Sequence, residues 1–451
     1  MGKLNQSLCQ SESAPHYQQV SPAPRLPRRR FLRQFGALGA AGMGAALVGC
    51  QPNPEKTAAT ADTTAVAPKD GDKNQNPKHA GGDANSAKHG FADSRYDFYG
   101  EHQAGITTPA QRHIYFLVMD LHTDQLDEVK QMFKDWTVAA ANLTQGKNIK
   151  PYGSNAFLPP TDTGEADSLG AYGLTLTFGV SPSFIKKLGL TAKQPKVFTE
   201  LPLFPRDQLR PELSGGDICI QACAEDAQVA FHAIRQLVRQ ARATITMRWS
   251  QSGFLGFDHG EQTPRNLFGF KDGTANQSTI KDADKNIWAQ SPDWMTGGTY
   301  LVARKIQMHL ETWDRTSLKG QEDTFGRHSD NGAAMGSAHE FDDVDIHKKS
   351  ADGKPAIPAD SHMALAKASG VEMLRRSYSY SSGIDAKTGQ FDSGLLFISF
   401  QKSPEQFIAV QNALGRMDRM NEYITHIGSG LFACFGGVSA GQYLGQQLLE
   451  V

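Results

Sequence analysis

Cysteine is scarce in this chain, with five residues among 451, at positions 9, 50, 219, 223 and 434. So few and so widely spaced cysteines do not form the disulfide framework of a small secreted domain. Cys219 and Cys223 lie in a segment, 217–223, that is predicted to be a strand, where positions four apart are separated by about 13 Å. We therefore expect two buried apolar side chains rather than a metal or redox pair.

Long apolar runs and basic, aromatic-rich stretches are missing as well. A membrane-spanning helix needs about 20 consecutive apolar residues, and no stretch of the sequence reaches that length. No basic stripe with interleaved aromatic residues is present, which argues against a nucleic-acid partner. The first 49 residues hold six of the 46 basic residues and one of the 47 acidic residues, so the remainder is mildly acidic. We expect a soluble folded part that binds no nucleic acid.

The first 50 residues have the pattern of an export signal. Residues 27–33 (PRRRFLR) resemble a twin-arginine signal, with two arginines, a variable residue, Phe-Leu and a basic residue. Residues 35–49 are uncharged and too short and weakly apolar to span a membrane. A basic surface segment is the alternative. Residues 47–50 (LVGC) also resemble a lipobox, which would make Cys50 a lipid anchor; ordinary cleavage nearby is the alternative.

Residues 51–104 are predicted to form a disordered tether. Residues 51–90 consist largely of Pro, Lys, Thr, Ala, Asp, Asn and Gly, with too little apolar surface to build a core. A tether of this length suits a folded domain held off a membrane by a lipid at Cys50. We therefore expect export by the twin-arginine route, to the periplasm or to a membrane through lipidated Cys50.

Apolar patterning from about residue 105 predicts an α+β fold. Strand-like alternation occurs at 113–121, 173–179, 217–223 and 243–249, and helical spacing at 126–138, 182–188 and 227–241. The main order, strand-helix-strand-strand-helix-strand, is that of the ferredoxin-like unit. A second set follows, with strands at 299–310, 373–380 and 395–401 and a helix at 404–414. We expect two ferredoxin-like domains with antiparallel sheets, at 105–290 and 291–451, as in the dimeric α+β barrel superfamily.

Residues 266–276 (NLFGFKDGTAN) place one carboxylate between two glycines. Gly269 and Gly273 allow the backbone to turn tightly and to lie close to a flat ligand. Asp272, partly desolvated by apolar neighbours, can take up and return a proton. Asp-Gly is also a frequent turn dipeptide, so a plain loop is the alternative.

The longer string resembles the GxxDG segment of dye-decolorising peroxidases, which are haem enzymes. The resemblance implies one haem b per chain and a catalytic role for Asp272. It assigns the neighbouring residues of the segment to cofactor binding: Gly269, Phe270, Lys271, Gly273, Thr274 and Ala275.

Haem requires an axial ligand, and peroxidases normally use a neutral imidazole. His362 lies 90 residues after Asp272, between a polar loop and a strand-like segment at 371–380. The family has its proximal histidine in this position, so the resemblance assigns His362 as the iron ligand. The family's distal arginine follows a leucine in that strand, which selects Arg375. Arg376 should then face the opposite side.

The resemblance gives roles to four more residues. Arg375 would stabilise negative charge as the O–O bond of peroxide breaks, with Ser377 on the same face as a weaker hydrogen-bond partner. Arg327 resembles the family's Gly-Arg element near a haem propionate, and the adjacent His328 is the competing axial candidate. We expect Asp392 to accept a hydrogen bond from the proximal imidazole.

The resemblance extends from about residue 105 to the C-terminus and, with the twin-arginine signal, looks like the exported deferrochelatase/peroxidase branch. It implies reduction of hydrogen peroxide, oxidation of bulky donors such as dyes or porphyrins, and a homodimer. The alternative is a haem-binding deferrochelatase that releases iron from haem, with partner proteins in iron uptake. A lipid-anchored solute-binding protein without redox activity is a third interpretation. Four aromatic residues could relay electrons to surface donors or simply pack in the core: Trp288, Trp294, Tyr378 and Tyr380.

Overall fold

The computed structural model describes residues 91–256, 263–290 and 294–450. The expected export signal, the possible lipidation site at Cys50 and residues 51–90 of the expected tether lie outside these ranges. Residues 91–104, which we also assigned to the tether, instead pack on the fold: the Gln103 side chain donates to the carbonyl oxygens of Phe178 and Phe435. Within the described ranges, no helix combines the length and apolar character needed to cross a membrane.

The first half of the fold follows the predicted order of elements closely. Its strands and helices are β1 His113–Leu121, α1 Leu126–Leu143, β2 Thr175–Val180, α2 Pro182–Lys187, β3 Ile218–Ala224, α3 Ala227–Gln240 and β4 Ile245–Phe254. Side-chain caps start the helices where the sequence suggests: Ser181 accepts from the Phe184 amide at α2, and Asp226 accepts from the first-turn amides of α3.

The second half contains the remaining elements. They are α4 Asn276–Lys281, α5 Ala283–Asn286, β5 Thr299–Met308, α6 Leu310–Trp313, α7 Leu318–Phe325, α8 His362–Ala368, β6 Leu374–Arg375, β7 Tyr378–Ile384, β8 Phe391–Gln401, α9 Pro404–Met417, β9 Ile424–Cys434 and α10 Gln446–Leu449. The single strand expected at 373–380 is interrupted at Arg376 and Ser377, which separate β6 from β7. His362, which we expected between a polar loop and this strand, is the first residue of helix α8.

The two halves have the same strand order. The first half pairs its strands as β2-β3-β1-β4, and the second pairs them as β9-β5-β8-β7, with all pairs antiparallel. This is the ferredoxin-like order in both cases, which confirms the predicted fold class. The halves meet at two seams, β2 with β9 and β4 with β7, so that eight strands close into a barrel.

The barrel has separate inner and outer cores. On β1, Phe116 and Val118 point into the barrel, whereas Leu117 and Met119 pack beneath the helices of the first half. Cys219 and Cys223 lie in the inner core with Cys434, fully buried and not disulfide-bonded. The expectation of two buried apolar cysteines is therefore confirmed.

Candidate active site

The Asp272 loop is folded by its glycines and its own backbone hydrogen bonds. Gly269 and Gly273 have φ angles of +84° and +113°, in the region that favours glycine. The Asp272 amide donates to the Pro264 carbonyl oxygen at 2.9 Å. The Asp272 side chain keeps 26% of its surface exposed, and its Oδ1 lies 3.2 Å from Nη2 of Arg375. The structure thus brings together the two residues expected to be catalytic.

A cavity of about 380 Å³ adjoins this pair. One wall comes from the first half, at residues 106–110, and further lining comes from residues 263–266, 272–274, 276–277 and 374–377. Ser377 lines the cavity beside Arg375, and its buried hydroxyl has no hydrogen-bond partner among the residues that the structure describes. His362 does not line this cavity.

His362 is held by a buried carboxylate. Ser361 caps α8, and the His362 side chain extends to Asp418, whose Oδ2 lies 2.7 Å from Nδ1 of the ring. The other carboxylate oxygen of Asp418 accepts from the Met420 amide at 2.9 Å, which fixes its orientation. Because Asp418 occupies Nδ1, the opposite nitrogen, Nε2, is the one that can bind a metal ion. The His362 side chain is 37% exposed, so the ring is accessible to a ligand.

The charges around His362 include those of Asp272 and Arg375. Burial opposes the charge on His362, but Asp418 outweighs burial and raises the pKa of the imidazole. The charge of Arg375 lowers this pKa and that of Asp272 raises it, each to a smaller extent. A second histidine, His426, is buried nearby, and burial, Arg304 and His362 lower its pKa to about 3.

Asp392 does not have the role that we expected from the sequence. It lies at the start of β8, where its charge supports the ammonium group of Lys305 against the effect of burial on the Lys305 pKa. The carboxylate that contacts the imidazole is Asp418, just after α9. His328, the competing axial candidate, lies with Nδ1 3.4 Å from a carboxylate oxygen of Glu322 on α7.

Several of the expected cofactor residues surround another buried carboxylate, Glu340. Lys271 Nζ lies 2.8 Å from Glu340, and the Thr274 hydroxyl donates to it at 3.0 Å. Arg327 donates to the Gly332 carbonyl oxygen at 2.7 Å. Burial and then the charge of Arg375 lower the Arg327 pKa, and the carboxylates of Glu340 and Asp272 oppose this shift. Arg327 therefore lies near the catalytic pair.

Two other members of the segment are placed differently. Phe270 is 1% exposed and stacks on Phe325 with ring centroids 4.1 Å apart, so it packs in an aromatic core that also contains Trp313. Ala275 is the residue before α4. Their assignment to cofactor binding stays a prediction.

Comparison with known proteins accounts for this arrangement. A model described as "Dyp-type peroxidase, N-terminal" matches residues 103–255, and one described as "Dyp-type peroxidase, C-terminal" matches residues 263–439. The chain belongs to the Dyp-type peroxidase family. The second model begins before the Asp272 loop, whereas we expected the domain boundary at 290.

Relatives of known name support the same family. The deferrochelatase of Escherichia coli (strain K12) is 39% identical over 377 residues, covering 78% of this chain and 87% of that protein. The ferric structure of DtpA from Streptomyces lividans is 37% identical, with a TM-score of 0.75 over 80% of this chain and 98% of that one. A DyP-type peroxidase from Cellulomonas bogoriensis is 34% identical, with a TM-score of 0.73 over 80% and 99%.

Dyp-type peroxidases depend on haem, and the residues present fit this cofactor. His362 offers Nε2 while Asp418 holds Nδ1, which is the usual arrangement of a metal-binding histidine. Arg327 supplies a largely buried cation for an acidic group, and Ser377, whose hydroxyl has no partner within the described ranges, lines the cavity. The sequence analysis missed Asp418, which contacts His362. It also missed Asn276, whose side chain forms hydrogen bonds with the backbone of Arg375, although Asn276 lies four residues after Asp272 in the same segment.

Proposed function

We propose that this Dyp-type peroxidase binds one haem b per chain, with His362 as the iron ligand, and reduces hydrogen peroxide at Asp272 and Arg375. The observation that carries the proposal is the pairing of Asp272 with Arg375 beside a cavity, together with a carboxylate-held histidine whose charge they influence. Bound haem supplies the iron that binds peroxide and accepts its oxidising equivalents.

The protein side chains manage protons and charge in this proposal. Asp272 would accept a proton from one oxygen of hydrogen peroxide and return it to the other, which would leave as water while the first stays with the haem. Arg375 carries a permanent positive charge and stabilises the negative charge that develops as the O–O bond breaks. Ser377 is placed to donate a weaker hydrogen bond in the same cavity. Arg327 pairs with a haem propionate.

Bulky organic donors, such as dyes or porphyrins, would complete the cycle by giving up electrons one at a time. The four candidate relay residues, Trp288, Trp294, Tyr378 and Tyr380, are all less than 10% exposed. Trp288 stacks on His102 with ring centroids 3.6 Å apart. The burial of these four side chains agrees with a packing role in the core, and an electron-relay role stays a prediction.

A second candidate function is the release of iron from haem with the porphyrin left intact. The observation that favours it is the 39% identity to proteins named deferrochelatase. Both functions use the same haem site, so they are distinguished by their products: an oxidised donor in one case and iron-free porphyrin in the other. In this role we expect partner proteins of an iron-uptake system.

We further propose export by the twin-arginine route, to the periplasm or to a membrane through a lipid on Cys50, and a homodimer. The support for export is the sequence at residues 27–33 and 47–50. Mass spectrometry of the mature N-terminus distinguishes lipidation at Cys50 from ordinary cleavage nearby.

The function can be tested with the exported protein loaded with haem, as wild type and as the variants His362→Ala, Asp272→Asn and His328→Ala. We expect a Soret band that collapses in His362→Ala and persists in the other two, with peroxide turnover lost in Asp272→Asn. A Soret band that survives in His362→Ala and disappears in His328→Ala contradicts the axial assignment. Iron-free porphyrin as the main product, without donor oxidation, favours the deferrochelatase function.

A further inference from the structure

The backbone of Arg375 is held by the side chain of Asn276. The Asn276 amide nitrogen donates to the Arg375 carbonyl oxygen at 2.6 Å, and the Arg375 amide donates to Asn276 Oδ1 at 3.1 Å. One side chain therefore satisfies both backbone polar groups of Arg375. Asn276 is the first residue of α4 and lies four residues after Asp272. It therefore links Asp272 to Arg375 through the backbone, in addition to the direct contact between their side chains.

The neighbouring residue, Arg376, is held from the opposite side. Its guanidinium is buried and donates to the carbonyl oxygens of Thr108, at 2.5 Å, and Pro109, at 3.2 Å, and to the Gln111 side chain. These acceptors belong to the first half of the fold, and 106–110 form a wall of the cavity. Among the described residues, no carboxylate forms an ion pair with Arg376, and these three acceptors are neutral oxygens.

The interruption of the strand at Arg376 and Ser377 explains why the backbone there needs these additional hydrogen bonds, which we call the clamp. Between β6 and β7 the ladder to β8 is reduced to the bond from the Arg376 amide to the Ile398 carbonyl oxygen. Arg375 is the last residue of β6 and pairs with Ser399 of β8, and in the described residues the next ladder pair is Tyr378 with Leu396. The ladder therefore holds the Arg375 backbone on one side only. Asn276 on one side and the Arg376 contacts on the other supply the missing constraints.

We propose that Asn276 and Arg376 are positioning residues: they hold the backbone at 375–376 so that the Arg375 guanidinium stays against Asp272 and the cavity. The proposal rests on the peroxidase function and deepens it. Neither residue needs to touch peroxide, since each acts through Arg375. Their removal should therefore matter only while Arg375 is present.

This dependence defines the experiment. Haem-loaded Asn276→Ala and Arg376→Lys are each compared with wild type, and again in an Arg375→Leu background, for kcat/KM with hydrogen peroxide. With Arg375 present we expect roughly a tenfold to hundredfold loss, as for small misplacements of a catalytic group. In the Arg375→Leu background we expect less than about a twofold change, because residues that act as a unit are not additive. An equal loss in both backgrounds, or no loss with Arg375 present, overturns the proposal.

A matched control removes a similar contact without touching Arg375. Asn286 is a buried asparagine whose amide donates to Glu372, three residues before Arg375, at 3.0 Å. Asn286→Ala should lower stability while leaving kcat/KM for peroxide within about twofold of wild type. A loss as large as that of Asn276→Ala would show that general loosening, rather than the clamp, causes the effect.

A second readout does not depend on turnover. Amide hydrogen exchange of the haem-free protein should become faster at Arg375 in Asn276→Ala, because its amide loses the Asn276 acceptor. If Asn276→Ala does not fold, Asn276→Asp keeps an acceptor for the Arg375 amide but loses the donor to its carbonyl oxygen. That variant is then compared by kcat/KM in the two backgrounds, because exchange at Arg375 reports only on the loss of the acceptor. Unchanged exchange at Arg375 overturns the clamp even if wild type proves to have no peroxidase activity, whereas faster exchange without turnover removes only the peroxidase function.

Discussion

The contact between His362 and Asp418 allows a prediction with a calculable size. Asp418→Asn keeps the shape of the side chain, and its remaining oxygen can still accept from the Met420 amide. It loses the negatively charged oxygen that lies 2.7 Å from His362 Nδ1. A hydrogen bond to a charged group contributes about 1.5–3 kcal/mol. This hydrogen bond holds the His362 ring in the orientation that binds iron. Its loss should therefore lower haem affinity roughly 10- to 100-fold, the usual range for such supporting residues.

The assay is a titration of haem-free protein with haem, followed at the Soret band, for wild type, Asp418→Asn and Asp392→Asn. Asp392 is the matched control, because it is the carboxylate that the sequence suggested and it lies beside Lys305 instead. We expect Asp392→Asn to bind haem within about twofold of wild type. Wild-type affinity in Asp418→Asn, with weaker binding in Asp392→Asn, would refute the reasoning from the structure.

Three further predictions concern stability, each measured by denaturant unfolding of the haem-free protein. Gly273→Ala should cost about 1–3 kcal/mol because of its φ of +113°; an unchanged midpoint would mean that the loop relaxes freely. Gly179→Ala should cost about 1–3 kcal/mol, because an added Cβ would lie 3.1 Å from the sulfur atoms of both Cys219 and Cys434; a neutral effect would show that the inner core is loosely packed. Burial opposes the charge on Glu340, but its hydrogen bonds, chiefly from Lys271, outweigh burial and lower its pKa below the ordinary 4.5. The stability advantage of wild type over Glu340→Gln should therefore be complete above pH 4.5 and decrease as the pH falls through the lowered pKa; an advantage that grows on acidification would contradict the sign.

The sequence predicts the elements well wherever one physical pattern dominates. Strand β1 has the predicted limits, because its apolar run is bounded by polar residues at both ends. Strand β9 was not recognised, since its glycines at 428 and 430 weaken the strand pattern. The break between β6 and β7 was also missed, because periodicity does not report which backbone groups find side-chain partners.

The candidate site was only partly predictable for a related reason. Asp272, Arg375 and His362 are assigned from the resemblance to dye-decolorising peroxidases, whose motifs match short stretches of this sequence. Asp418 is 56 residues from His362, and the end of α9 determines its position. The local sequence suggests Asp392 as the imidazole's acceptor instead, because it does not show where helix α9 packs. Long-range contacts of this kind depend on the packing of whole elements, which local sequence does not encode.

The two seams of the barrel have a consequence for the chain as a whole. In the described residues they contain three ladder pairs, Gly179 with Cys434, Val180 with Ala433, and Phe254 with Ser379. A fragment that ended near residue 256 would leave β2 and β4 as open strand edges, with unpaired amides and carbonyl oxygens. Such edges recruit strands from other molecules. Ring closure therefore protects the chain against aggregation, and each half shields the other's edges.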